Sequence, residues 1–453
     1  MEEVLLRLPV EWFQMEVIPF LTMKEIVQLD SASCMLLLRS EFEHFLEKIA
    51  YGSSFDWRSR RRTAPELSGS ALNWFNSRQC TIEKMHVASS ITDQMLADCR
   101  GVFARTKFCS FSSCSLSHQG FVRFANSAPM LADLGLNSCR TFHSALAALS
   151  CCVHLQKLNM NNCDMEDGNV ELVSNNCPNL KILLLFRNKR LTDAALTSLS
   201  THCIALQVLV LDSSNVTDYG VKSLSRGCRS LTSLYLMGCV SVTTAGCLAL
   251  VANCSLKTLI FGSESATTSY THVQLKLLAP YLSTITHLTM NFWSALTDAD
   301  VSAMAKYCPL LRRLSVNECI QLTDSAIVAL ALHCTGLSTL FARGCKHVTD
   351  IGIVQLATRC TVLRYLDLSL TSITDTSIDA FAKNCKHMRE VEVYGCMFAI
   401  GVASLTLLMV QCRSLYRVSL DAHKGSTGAE MRAFRKQCRT LFPQVQFLLY
   451  DKE

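Results

Sequence analysis

The feature that most limits what this chain can fold into is the spacing of its cysteines. Cys177, Cys203, Cys228 and Cys254 stand 26, 25 and 26 residues apart. Cys308, Cys334, Cys360, Cys385, Cys412 and Cys438 follow at intervals of 26, 26, 25, 27 and 26, and the 54-residue gap from Cys254 to Cys308 is two periods with one cysteine absent. The residues between them repeat too. PLLRRLSVNECIQLTDSAIVALALHC at 309–334 and TGLSTLFARGCKHVTDIGIVQLATRC at 335–360 share one template, L-x-x-L-x-[LVA]-x-x-C-x-x-[LV]-T-D-x-[AG]-[IL]-x-x-L-[AS]-x-x-C. A fixed period of this length means an array of small units, none of which buries its apolar face alone, so neighbours must stack. The chain has 453 residues, 49% of them hydrophobic and 18% charged. That is more than one core fills, and too apolar for bulk disorder.

Each unit reads as strand, turn, helix, turn. Leu314-Ser315-Val316 alternates with the period of a half-buried strand. A Thr-Asp pair follows, and either residue can cap a helix by accepting a hydrogen bond from a free backbone N–H. The pair recurs at Thr92-Asp93, Thr192-Asp193, Thr217-Asp218, Thr297-Asp298, Thr323-Asp324, Thr349-Asp350 and Thr374-Asp375. After it, Ile327, Leu330 and Ala331 share one helical face that packs on the strand. Units begin near Ile82 and Thr106 in divergent form, then near Leu131, Leu155, Leu180, Leu206, Leu231, Leu256, Ile285, Leu311, Leu337, Leu363, Met388 and Leu415, with a last strand expected at Val445–Leu449.

This template resembles the cysteine-containing leucine-rich repeats of F-box proteins and their relatives, over about residues 80–450. The resemblance implies an α/β fold, a curved leucine-rich-repeat solenoid with a parallel inner sheet and outer helices, in about 13–14 repeats over 80–453. At about 4.8 Å between strands the inner sheet would run roughly 65 Å, room for a protein partner. The 24 cysteines then serve as small apolar packing residues. No C-x-x-C pair and no zinc-spaced Cys/His set occurs, so no metal is expected.

The opening segment does not repeat. In residues 1–50, Leu8-Pro9-x-Glu11, Ile18, Phe20-Leu21, Glu25-Ile26, Leu29 and Cys34 resemble an F-box, and the resemblance implies that Leu8, Pro9, Ile18 and Leu21 contact a Skp-type adaptor. The basic residue and tryptophan that follow the cysteine in that family are absent; Met35-Leu36-Leu37-Leu38 stands there instead. A helical cap that shields the first repeat is the other reading of this segment. Residues 51–79 read as a linker carrying Arg58-Ser59-Arg60-Arg61-Arg62, followed by a short apolar helix with Ala71, Leu72, Trp74 and Phe75.

Strand alternation defines an outward face. Ile182, Leu184, Phe186, Val208, Val210, Tyr235, Met237 and Ile260 are expected there as an exposed apolar patch, and apolar patches of that size mark interaction surfaces. Further along, Arg313, Phe341, Arg343, Tyr365 and Tyr394 mix aromatic and cationic groups, the residue types enriched at binding hot spots. Ser315, Asp367, Glu392 and Ser419 are expected to face outward from the same columns. The unit at 256–281 has lost its Thr-Asp pair and its boundary cysteine to a Ser/Thr-rich stretch. It reads either as a binding irregularity or as a drifted repeat with a longer loop.

No phosphate loop or nucleophile elbow occurs, and the 12 histidines are scattered. Net charge is +6 without a concentrated stripe beyond 58–62, so no nucleic acid is expected. No secretory signal or membrane-spanning run is read, which places the chain in the cytoplasm or nucleus with reduced thiols. The expectation is a non-enzymatic, cofactor-free scaffold, monomeric within a larger complex. By resemblance it is the substrate-recognition subunit of a Skp–cullin–F-box ubiquitin ligase, with a protein held on the concave face. The alternative is a non-catalytic scaffold in a structural or signalling assembly with no ligase link.

Overall fold

The computed structural model describes residues 66–67, 72–73, 76, 82, 84–87, 91–112, 116–139, 143–212, 214–262, 274–396, 400–421 and 440–450. The F-box-like positions Leu8, Pro9, Ile18 and Leu21, the basic run at 58–62 and most of the Ser/Thr-rich stretch of the irregular unit lie outside the described residues. The chain divides into two compact units, Met1–Leu209 and Val210–Glu453.

In the first unit, strands β1 (Glu66–Leu67), β2 (Lys84–Val87), β3 (Phe108–Ser112), β4 (Asp133–Asn137), β5 (Lys157–Asn159) and β6 (Ile182–Leu185) pair in chain order, all parallel. Between them run α1 (Asp93–Asp98), α2 (His118–Ser127) and α3 (Asp167–Asn176), with 3-10 turns at Arg100–Phe103 and His143–Cys151, and α4 (Asp193–His202) follows β6. The core near its start is aromatic: the Phe111 and Phe124 rings meet edge to face at 5.0 Å, and Phe103 meets Phe124 at 5.4 Å. Strand β7 (Val208–Asp212) contains the boundary between the units.

The second unit continues the alternation with β8 (Ser233–Met237), β9 (Thr258–Gly262), β10 (His287–Asn291), β11 (Arg313–Ser315), β12 (Thr339–Phe341), β13 (Tyr365–Asp367), β14 (Glu390–Glu392), β15 (Arg417–Asp421) and β16 (Gln446–Tyr450). Its helices are α5 (Asp218–Gly227), α6 (Thr244–Asn253), α7 (Leu275–Leu278), α8 (Asp298–Tyr307), α9 (Asp324–His333), α10 (Asp350–Arg359), α11 (Asp375–Asn384) and α12 (Val402–Gln411). Register advances one repeat at a time, so that Leu288, Leu314, Leu340, Leu366, Val391 and Val418 form one row across the sheet. All six are buried. Each such side chain contributes on the order of 1.5–3 kcal/mol when removed from water.

The Thr-Asp pair has two jobs. The threonine caps its own helix, as where Thr323 accepts from the Ser325 N–H and Thr349 from the Ile351 N–H. The aspartate reaches into the next repeat. Asp324 Oδ1 accepts from the Thr349 N–H at 2.8 Å and Oδ2 from the Thr349 hydroxyl at 2.6 Å, and Asp167–Thr192, Asp218–Thr243, Asp298–Thr323 and Asp350–Thr374 repeat this geometry. The ladder explains the small residue in the template: Gly352 donates its N–H to Asp324 Oδ1 at 3.1 Å, and a Cβ there would stand 2.7 Å from that oxygen. Two helices whose preceding repeat offers no aspartate cap themselves. The irregular unit has lost its pair, and Asp300 instead accepts from the Thr297 N–H and hydroxyl in a capping box. Glu166 and Asn169 do the same after the 3-10 segment His143–Cys151.

The boundary cysteines form a second ladder. The Cys334 thiol lies 3.5 Å from the Cys308 carbonyl, Cys360 3.5 Å from that of Cys334, and Cys412 3.3 Å from that of Cys385. Burial pushes Cys203, Cys308 and Cys334 up to about 12, so these thiols stay protonated donors at neutral pH, with none of the thiolate that metal binding or nucleophilic chemistry requires.

After many of the described strands one residue turns left-handed. Gly238, Gly344 and Gly395 occupy that place in some repeats, and Asn162, Phe292, Glu318 and Leu370 occupy it at positive φ in others. A non-glycine residue pays about 1–2 kcal/mol there. Gly344→Ala (φ +75°, facing the Glu318 carboxylate) is therefore expected to destabilise the protein by about 1–2 kcal/mol, whereas Glu318→Gly (φ +58°) relieves strain. Chemical denaturation of the two variants checks the opposite signs.

Candidate interaction surface

Strand alternation sends every second residue to the core and leaves the others on the open face of the sheet. In the first unit, β6 carries Ile182 and Leu184 half-buried on that face while Leu183 and Leu185 are buried. Phe186 follows at the turn, half-buried, with the Arg187 guanidinium 5.2 Å from its ring centre. In β7, Val208 and Val210 are half-buried beside buried Leu209 and Leu211. In the second unit, Tyr235 and Met237 on β8 and Ile260 on β9 share the open face, with Tyr235 and Ile260 directly paired. These side chains have the partial exposure that the outward register demands, and each unit brings its own set together along neighbouring strands.

Beyond them the face of the second unit becomes polar and aromatic. The middle row runs Thr289, Ser315, Phe341, Asp367, Glu392, Ser419 from β10 to β15. Alongside it lie His287, Arg313, Thr339, Tyr365, Glu390 and Arg417. Arg313 is exposed, and Phe341, Arg343, Tyr365 and Tyr394 are half-buried. The Arg343 guanidinium sits 4.8 Å from the centre of the Tyr394 ring. Arg389 donates to the Tyr365 hydroxyl at 3.3 Å, and Arg417 pairs with Glu390.

Three outward expectations need correction. Ser315, Asp367 and Ser419 point to this face but are 5%, 8% and 0% exposed. They are short side chains between long ones, so they form the floor of the surface rather than its top. Ser315 spends its hydroxyl on Asn291 Oδ1 at 2.7 Å. Asp367 Oδ1 takes the Ser369 N–H at 3.0 Å. Burial raises the Asp367 carboxyl above its usual range, against the opposing pull of Ser369 and Arg343. Burial also raises Glu392, and the neighbouring Asp367 and Glu390 charges add to it. This carboxylate pair is the feature that residue-by-residue reading missed. Its signal was two acidic residues at the same register in consecutive repeats.

With the geometry in place, comparison with known proteins is direct. Residues 227–251 and 359–382 match the family model described as Leucine Rich repeat. The chain folds as a leucine-rich-repeat solenoid. A chain in the crystal structure of the Rad7 and Elc1 complex in yeast is similar, with a TM-score of 0.56 and 19% identity over 81% of this chain and 93% of that one. An internalin (inlF) from Listeria monocytogenes aligns over 77% of this chain and 89% of its own, with 16% identity and a TM-score of 0.45. The repeat match and the open face describe a protein-interaction scaffold. Among the described residues no helix is long and apolar enough to cross a membrane.

Proposed function

We propose that this leucine-rich-repeat protein is the substrate-recognition subunit of a Skp–cullin–F-box type ubiquitin ligase, holding a protein on the open face of its sheet. The observation that carries the reading is the character of that face: large apolar and aromatic side chains (Tyr235, Met237, Ile260, Phe341, Tyr365, Tyr394) stand half-buried on the side of the sheet away from the described helices. A face of this kind marks a surface for another macromolecule. Ile182, Leu184, Phe186, Val208 and Val210 have similar chemistry on β6 and β7, and Arg313 and Arg343 supply charged anchors in the second unit. The ligase link rests on the F-box-like order of Leu8, Pro9, Ile18 and Leu21 ahead of cysteine-containing repeats. The likeness of fold to a chain crystallised in the Rad7 and Elc1 complex is in keeping with a receptor that works inside a complex.

In this reading the chain supplies binding and positioning, and the transfer chemistry belongs to other subunits. Pull-down of a Skp-type adaptor by the full chain tests the link. Retention by wild type and loss by Leu8→Ala/Pro9→Ala is the expected outcome. An adaptor that fails to bind, or binds the variant equally, leaves a scaffold without a ligase.

A further inference from the structure

In the second unit, the residues just ahead of the strand starts form one continuous row. Lys257, Thr286, Arg312, Ser338, Arg364, Arg389 and Tyr416 hold this place before β9 to β15. Each passes its carbonyl to the next repeat. The Lys257 carbonyl accepts from the Thr286 and His287 N–H groups, that of Thr286 from Arg312 and Arg313, and so on to the Arg389 carbonyl, which accepts from Tyr416 and Arg417. The row therefore follows the edge of the sheet at about 4.8 Å per strand. Its cations Lys257, Arg312, Arg364 and Arg389 are all exposed, and exposed Arg313 stands beside them. They lie 55, 52 and 25 residues apart in the sequence, so only the stacking of repeats gathers them.

The row is not neutralised from within. None of the four cations forms a salt bridge among the described residues. Arg312 donates to the Gly336 carbonyl at 2.9 Å and Arg389 to the Tyr365 hydroxyl at 3.3 Å, both uncharged acceptors. Glu390, the acid beside the row, is paired with Arg417. The ladder aspartates Asp298, Asp324 and Asp350 stand at the opposite ends of ten-residue helices. That is roughly 15 Å of helix, beyond the Debye length of about 8 Å at physiological salt. Helix dipoles do not explain the row either. Their partial charge acts within the last turn, where Lys306, Arg359 and Lys383 already stand. His287 registers the surplus: burial lowers its pKa, and the Arg313 charge lowers it further.

We propose that the row Lys257, Arg312, Arg364 and Arg389, with Arg313, binds an acidic segment, rich in Asp or Glu, of the protein held on the open face. The guanidinium fork suits carboxylates, and three of the four row cations are arginines. The row borders the open face: Tyr365 follows Arg364, and Ile260 lies three residues past Lys257. An occupant therefore meets charge on the edge and apolar or aromatic side chains beside it. A polypeptide offers both kinds of group. A nucleic acid strand carries a phosphate at every step and would set one against Glu390. The inference rests on the reading of this face as protein-binding and adds the chemistry of the partner's segment.

From β9 to β14 the row spans five strand steps, roughly 24 Å, which an extended octapeptide covers. The test is fluorescence anisotropy of a labelled, C-amidated octaglutamate with the full chain at low salt, against octaglutamine and a twelve-nucleotide oligothymidylate. The expected result is preferential binding of octaglutamate, weakened at least about tenfold by Arg312→Gln/Arg364→Gln/Arg389→Gln at an unchanged melting temperature. Lys257→Gln/Arg364→Gln, whose side chains are exposed and unpaired among the described residues, should give a smaller loss without touching any contact of the fold. Lys189→Gln/Lys222→Gln, which removes as much charge away from the row, should change nothing. Equal octaglutamine binding, no octaglutamate binding, equal loss in the Lys189/Lys222 variant, or tighter oligothymidylate binding through the same arginines overturns the inference. A protein partner lost by Tyr235→Ala/Ile260→Ala but fully kept by the triple arginine variant overturns it too, while leaving the protein-binding face standing.

Discussion

Replacing Asp350 by alanine is expected to destabilise the protein by about 2–3 kcal/mol, more than any other single member of the aspartate ladder. Asp350 Oδ1 and Oδ2 accept from the Thr374 N–H at 2.9 Å and its hydroxyl at 2.6 Å, and Oδ1 also takes the Ser377 N–H at 3.1 Å and the Ser377 hydroxyl. Removing the carboxylate strands all of these donors at the joint between α10 and α11. Asp375, by contrast, receives the Gly401 N–H at 2.7 Å, so Asp375→Ala should cost about 1 kcal/mol. Urea unfolding of the two variants reads the difference. Equal losses would mean that the ladder does not bear on stability in proportion to its hydrogen bonds.

The same carboxylate carries a pH signature. Burial pushes the Asp350 pKa up, but the hydrogen bonds from Ser377 and Thr374 outweigh it and hold the group below the usual carboxylate value. A folded-state pKa below the unfolded one gives stability that is present above the unfolded pKa, about 3.9, and lost as pH falls through the folded value. The gap between wild type and Asp350→Ala should therefore be full at neutral pH and close in acid. Because the group is half-exposed, solvent screens part of the effect, and the hydrogen bonds rather than the charge set its size.

Much of this fold was legible because its signals are local. Leu314, Leu340 and Leu366 recur at one register, and a strand's alternation follows from any one repeat. The final strand, expected at Val445–Leu449, is observed at Gln446–Tyr450. What single repeats do not contain was harder to read. The threonine of each Thr-Asp pair behaves as an ordinary cap, but the aspartate's partner sits in the following repeat, a relation visible only when units are stacked. The left-handed turn leaves little trace in residue type, since Phe292 and Leu370 occupy it as well as Gly344. On the open face, direction was readable and depth was not. Phe341 and Asp367 share a row, yet the long ring stays half-buried while the short carboxylate sinks to 8% exposure. Alternation fixes which way a side chain points, and its neighbours' lengths decide whether water reaches it.

The second large effect expected concerns binding. Tyr235 and Ile260 are register partners on neighbouring strands, half-buried and free of any structural role beneath the sheet. Truncating both removes contact area without opening the core, so stability should move by less than about 1 kcal/mol. Partner affinity should fall by about 2 kcal/mol or more, the cost of losing two anchors at the centre of an interface.

Affinity purification with quantitative mass spectrometry, comparing the full-length wild type with Tyr235→Ala/Ile260→Ala, tests the central claim most directly. The account predicts a defined set of proteins held by wild type and depleted roughly thirtyfold by the variant at unchanged melting temperature. An identical protein set at equal abundance from both would contradict it, and the open face would then not be the surface by which this protein binds.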